Sequence, residues 1–150
     1  IARALAGLRI EVDLLDHPGF SNLLGCLFSY LDTGLLVGTP NPSGSGDFNT
    51  ITGVRVEDCI FQRNTTRDIG AQAGARIDGW LIARNYFADL GNVDFITLNH
   101  ADNGGQLINH IADNVFAHNA VTTTQVVLTN TTTAFKFTGN RDKAGFITGV

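Results

Sequence analysis

The sequence predicts an all-β solenoid, in which successive coils of one chain pile up and pair in parallel. Three observations carry this expectation. The line "IARNYFADLGN" from Ile82 is rewritten as "IADNVFAHNAV" from Ile111, twenty-nine residues later. Short stretches alternating apolar and polar residues precede these lines, as period-two strands do. Strong helix formers are scarce: the chain has two Glu (Glu11, Glu57), two Lys (Lys136, Lys143) and no Met, against seventeen Gly.

Laid along the chain, the motif gives five lines: "LGCLFSYLDTG", "EDCIFQRNTTR", "ARNYFADLGN", "ADNVFAHNAV" and "TGNRDKAG". Their third positions are Cys26, Cys59, Asn85, Asn114 and Asn140, at intervals of 33, 26, 29 and 26 residues. Two residues later stand Phe28, Phe61, Phe87 and Phe116, and then Asp142 breaks the series. A unit of this length cannot bury its apolar face alone, whereas stacked units can. Strands of adjacent coils then lie about 4.8 Å apart, and equivalent side chains become vertical neighbours. The Phe column is expected to stack in offset fashion. The Asn column is expected to take the left-handed backbone of a sharp corner and to bond the neighbouring coil through its amide. An antiparallel sandwich with strands repeating by chance is the competing architecture.

Strands are expected around Val54–Val56, Trp80–Ile82, His110 and Phe135–Phe137. Further short strands are read at "DFITLN", "TQVVLTN" and "GLLVGT". Residues 38–48, within "GTPNPSGSGDF", read as a surface loop inserted in one coil of a 24–150 solenoid. Residues 1–23 read as an N-terminal cap or a first coil. There "LRIEVDLL" alternates like a strand and "IARALAGL" suits a short capping helix, and a solenoid end needs a cover.

The pattern "IxxNxFxxN", clearest in Ile111, Asn114, Phe116 and Asn119, resembles the coil signature of right-handed parallel β-helix proteins. That superfamily includes pectate-lyase-like enzymes and phage tailspike and virion proteins. The resemblance covers about residues 24–145, and it implies a right-handed β-helix of about five coils. Asp142 in place of Phe, and Cys in place of Asn twice, depart from the signature.

Composition narrows the function classes. A net charge of −4 with scattered basic residues argues against nucleic acid as the main partner. No apolar run approaches the ~18 residues of a membrane span. The start lacks an initiator Met and a signal-peptide core, which reads as a fragment or a processed precursor. No CxxC or zinc-spaced cluster occurs, and His17, His100, His110 and His118 show no HxxxH or HxH spacing, so neither metal nor cofactor is expected. The loop "NHADNGG" with Asp102 is the best calcium candidate, beside Asp89 and Asp94, but reads better as a tight turn.

Enzymes of the resembled superfamily work from exposed carboxylates, or a basic residue with calcium, on one sheet face. Asp58 and Asp113 would lie two coils apart, roughly 9–10 Å, at the wide end of an inverting-glycosidase pair. With Arg84 between them, a surface charge ladder is the stronger reading. Trp80 reads as half-buried on a strand, and it is the glycan-binding candidate if its ring is exposed instead. Cys26 and Cys59, on adjacent coils, fall inside the disulfide range, though a free buried thiol pair is favoured. The leading expectation is a structural virion protein: a tailspike, fibre or capsid-decorating subunit, homotrimeric or bound to other virion chains. Cell-surface polysaccharide is a further expected partner. Phe137, Phe146 and Ile147, near an end without an obvious polar cap, point to cover by another chain. The alternative is a secreted polysaccharide lyase or glycoside hydrolase using Asp58 and Asp113.

Overall fold

A computed structural model of the chain describes residues 6–10, 22–37, 50–71, 76–88, 94–99, 107–117, 126–129 and 135–147. The 38–48 insertion, most of residues 1–23, His17, His100, His118, Asp89 and Asp102 lie outside the described residues. The structure is all-β, with no helix among those residues, and its sheets are almost wholly parallel.

Strands recur in the same order along the chain. After β1 (Ala6–Ile10), the first repeat holds β2 (Asn22–Leu24), β3 (Leu27–Ser29) and β4 (Thr33–Val37). The second holds β5 (Thr50–Thr52), β6 (Arg55–Glu57), β7 (Ile60–Gln62) and β8 (Arg67–Ala71). The third holds β9 (Arg76–Asp78), β10 (Leu81–Ala83), β11 (Tyr86–Phe87) and β12 (Asp94–Asn99). Then follow β13 (Asn109–Ala112), β14 (Val115–Phe116) and β15 (Val126–Thr129), and finally β16 (Phe135–Thr138), β17 (Arg141–Asp142) and β18 (Gly145–Phe146). Ala6–Ile10 is thus extended, pairing with β4, where "IARALAGL" had left a capping helix open.

Each main sheet collects equivalent strands from successive repeats. One has the order β1-β4-β8-β12-β15, a second β16-β13-β10-β6-β2, and a third β18-β17-β14-β11-β7-β3; among the described residues β5 pairs with β9 alone. Parallel registers set Phe28 against Phe61, Phe61 against Phe87 and Phe87 against Phe116. Their rings stack with centroids 4.8, 5.0 and 4.7 Å apart and planes within 12°. That spacing is the strand repeat itself, so backbone pairing and ring stacking reinforce each other. Phe95 tilts against Phe87 and Phe116 and closes the column from the first sheet. Gly34 lies against the same column: a Cβ there would come within 2.9 Å of the Phe61 ring and 2.7 Å of the Asp68 carbonyl oxygen. The column therefore requires glycine at that point.

Beside the aromatic column runs a buried amide ladder. Asn85, Asn114 and Asn140 each reach back one repeat. Their Oδ1 atoms accept the backbone N–H of Cys59, Asn85 and Asn114 at 2.9, 2.9 and 3.0 Å. Their Nδ2 groups donate to the carbonyls of Val56, Ile82 and Ile111 at 2.8, 3.0 and 2.8 Å. Cys59 imitates this with sulfur, accepting from Cys26 N–H at 3.4 Å and donating to the Leu23 carbonyl at 3.5 Å.

The left-handed corner expected of these Asn belongs instead to the residue before each of them. Gly25, Asp58, Arg84, Asp113 and Gly139 have φ of 63°, 56°, 55°, 56° and 68°. Each of the first four donates its N–H to the next repeat, at Glu57, Ala83, Ala112 and Thr138. The Asn must keep its backbone N–H in line with the ladder, so the turn falls one residue earlier. Asn114→Ala, which orphans buried partners on both sides, is expected to destabilise the fold by about 2–4 kcal/mol in urea unfolding. Asp113→Gly, at a corner that glycine adopts freely, should change it by under about 1 kcal/mol.

Candidate functional site

The candidate residues sit on the outside of the corner that joins the second sheet to the third. A left-handed residue there throws its side chain outward, while the next residue turns inward to the ladder. Asp58, Arg84 and Asp113 accordingly form an exposed column, with Gly25 and Gly139 at its ends.

Arg84 reaches back one repeat. Its Nε and Nη2 donate to Asp58 Oδ1 and Oδ2, both at 3.0 Å, and Nη2 also donates to Glu57 Oε1 at 2.8 Å. Arg55 adds a looser contact of 3.8 Å to the other Glu57 oxygen. The Arg84 guanidinium hydrogen-bonded to Asp58 holds that carboxyl below its ordinary value, and Asp58 in turn pulls Arg84 up. A carboxyl so held stays ionised at neutral pH and has no proton to give, which opposes a general-acid role. No ion pair joins Arg84 to Asp113 among the described residues, so the charge ladder has one rung, on the Asp58 side. Asp113 shares the column but not the pair.

Trp80 does not serve as a glycan platform. It is 1% exposed, inside the core, and its indole N–H donates to the Ile51 carbonyl at 2.8 Å. Its backbone N–H donates to Asn109 Oδ1 at 2.9 Å. A ring enclosed in this way presents no face to a sugar. Among the described residues the exposed aromatic rings are Tyr30, Tyr86 and Phe146. Arg63 lies 5.1 Å from the centre of the Tyr30 ring, and its Nη1 donates to the Tyr30 hydroxyl. His110 is bonded to Thr138 through Nε2 and Oγ1 at 2.9 Å. No group of three or more His, Cys, Asp or Glu that could hold a metal occurs among the described residues.

The third sheet carries a feature that residue-type reasoning passed over. Leu27, Ile60, Tyr86 and Val115 are aligned by register on its outer face. The first three are 61%, 43% and 44% exposed. The signal was available: each residue immediately precedes a column Phe, so a period-two strand must point it outward. Four apolar residues in that phase are unusual on a sheet face meant only for water.

The ion pair has a measurable consequence. Asp58 should titrate below 3.8 in carboxyl NMR and move back towards it in Arg84→Ala. Because its folded pKa is depressed, the pair contributes fully above the ordinary carboxyl value of the unfolded chain, and its contribution is lost as pH falls through the folded pKa. No family model, curated protein or solved structure matches this chain.

Proposed function

We propose that the chain is a right-handed parallel β-helix of about five coils that acts by assembly, as a structural subunit of a virus particle. The tailspike, fibre and capsid-decorating kinds fit best, with a homotrimer as the assembled form. The observation that carries the reading is the outer apolar row of the third sheet, Leu27, Ile60, Tyr86 and Val115. Contiguous exposed apolar surface on a folded domain marks an interaction site. The resemblance of the repeat to β-helix coil signatures supports the particle class, and the parallel registers across all three main sheets are compatible with a solenoid.

The enzymatic alternative, a polysaccharide lyase or glycoside hydrolase, rests on Asp58 and Asp113 sharing one exposed column two repeats apart. The engagement of Asp58 by Arg84 weighs against it. A general acid needs a raised pKa, and this carboxyl is shifted the other way.

Assembly is tested by sedimentation velocity at micromolar concentration. The expected species is a trimer, converted to monomer by the double substitution Ile60→Asp and Tyr86→Asp. Both side chains face outward, so far-UV circular dichroism should be unchanged. A wild-type chain that sediments as a monomer overturns the reading.

A further inference from the structure

The chain's two cysteines occupy the first two places of the column that Asn85, Asn114 and Asn140 complete. They directly precede the register pair Leu27 and Ile60, and Ile60 N–H donates to the Cys26 carbonyl at 2.8 Å. Their Cα atoms are therefore one strand spacing apart, about 4.8 Å, inside the ~4.4–6.8 Å over which a disulfide forms without moving the backbone. Side chains in this column point along the stack. Cys26 N–H meets Cys59 Sγ at 3.4 Å. Further along, Asn85 Nδ2 meets Asn114 Oδ1 at 3.1 Å, and Asn114 Nδ2 meets Asn140 Oδ1 at 2.8 Å.

The two thiols are free and differ in access. Cys26 is half-buried beside Gly25, where an added Cβ would meet nothing within 4 Å, and between the exposed Leu24 and Leu27. Cys59 is 1% exposed, and burial pushes its thiol up. A reagent in solution therefore reaches Cys26 first, and Cys59 is held behind it as the resolving partner.

We propose that Cys26 and Cys59 are a redox-gated clamp, forming a cross-repeat disulfide that locks the first repeat onto the second. The Cys26 thiolate attacks one sulfur of a small-molecule disulfide such as oxidised glutathione and expels one glutathione thiolate. Cys59 gives its proton to solvent, attacks the Cys26 sulfur of the mixed disulfide and expels the second. Two protein thiols become one disulfide, and the oxidant takes both electrons and leaves as two thiols.

The location gives the bond a role. Among the described residues β2 and β3 are the terminal strands of their sheets, paired on one side only. Asn at position 59 would give the first repeat a strong acceptor and donor, whereas sulfur makes weak hydrogen bonds. In the reduced state the joint between the first two repeats is the weakest in the ladder. A covalent link across 33 residues removes that weakness by restricting the open chain.

The test is a titration of the folded wild-type chain in glutathione buffers of graded redox poise, quenched by acid and alkylation and read by mass spectrometry. The expected product is an intramolecular Cys26–Cys59 disulfide, with amide exchange at Phe28–Leu31 slowed about tenfold or more. Cys59→Ser should trap glutathione on Cys26, and Cys26→Ser should leave Cys59 unmodified while folded. Thiols that stay free in the most oxidising buffer, or a disulfide that forms only in denaturant, overturn the proposal. Because the wild-type titration needs no variant, poor folding of either substitution leaves the result intact.

Discussion

The architecture depends on one buried interaction: an asparagine amide that bonds the backbone of the preceding repeat through both of its ends. Strands such as Tyr86–Phe87 and Val115–Phe116 have two residues each. Pairs that short cannot hold a register, because too few backbone bonds oppose a slip. The ladder supplies the missing specificity. Asn114 Oδ1 needs the N–H of Asn85, and its Nδ2 needs the carbonyl of Ile82. A slip by one residue would break both bonds inside the core and rotate the Phe column out of it. Asp offers no donor, Ala offers neither group, and Gln sets its amide a methylene too far.

This ladder dictates what can stand next to it. With Asn backbones held in line, the chain must turn at the preceding residue, which adopts φ near 60°. At the column's ends that residue is glycine, and in its middle it is Asp58, Arg84 and Asp113. Left-handed non-glycine residues cost of order 1–2 kcal/mol each. Polar side chains on an outward corner are compatible with that conformation, and Arg84 and Asp58 bond each other across neighbouring repeats. The Arg84–Asp58 bridge is thus a by-product of corner geometry, and its carboxylate is committed to structure rather than poised for proton transfer.

The columns were legible in the sequence because stacking demands the same residue type at nearly constant spacing, and Phe28, Phe61, Phe87 and Phe116 satisfy that demand. The corner was misplaced by one residue because Asn has two talents, left-handed backbone and amide bonding, and composition cannot tell which is in use. Trp80 shows how far alternation alone reaches. Its alternation with Ile82 around Leu81 put the indole on the inner side of a strand, as the half-buried reading had it, but could not show that the ring is enclosed completely. Asp142 could be seen as a break that leaves the last coil distorted or facing a partner, but the form of the distortion could not. Its Oδ1 accepts the N–H groups of Ala144 and Gly145, so that β18 returns antiparallel to β17. The reversal needs coordinates because it depends on a turn formed three residues away.

That reversal links the end of the stack to its outer face. A parallel ladder cannot end itself, since every strand leaves the same unpaired edge for the next. Asp142 ends it in the third sheet by folding the chain back, and Ile147 N–H bonds the Asn140 carbonyl to close the turn. Phe146, 77% exposed, pairs in register with Arg141, which itself continues the row of Tyr86 and Val115. The turn that closes the parallel ladder therefore sets a further exposed aromatic side chain in the same row, beyond Arg141. At this sheet the last parallel strand, β17, is covered by the antiparallel β18, and the turn that makes the cover also places Phe146 on the outer face.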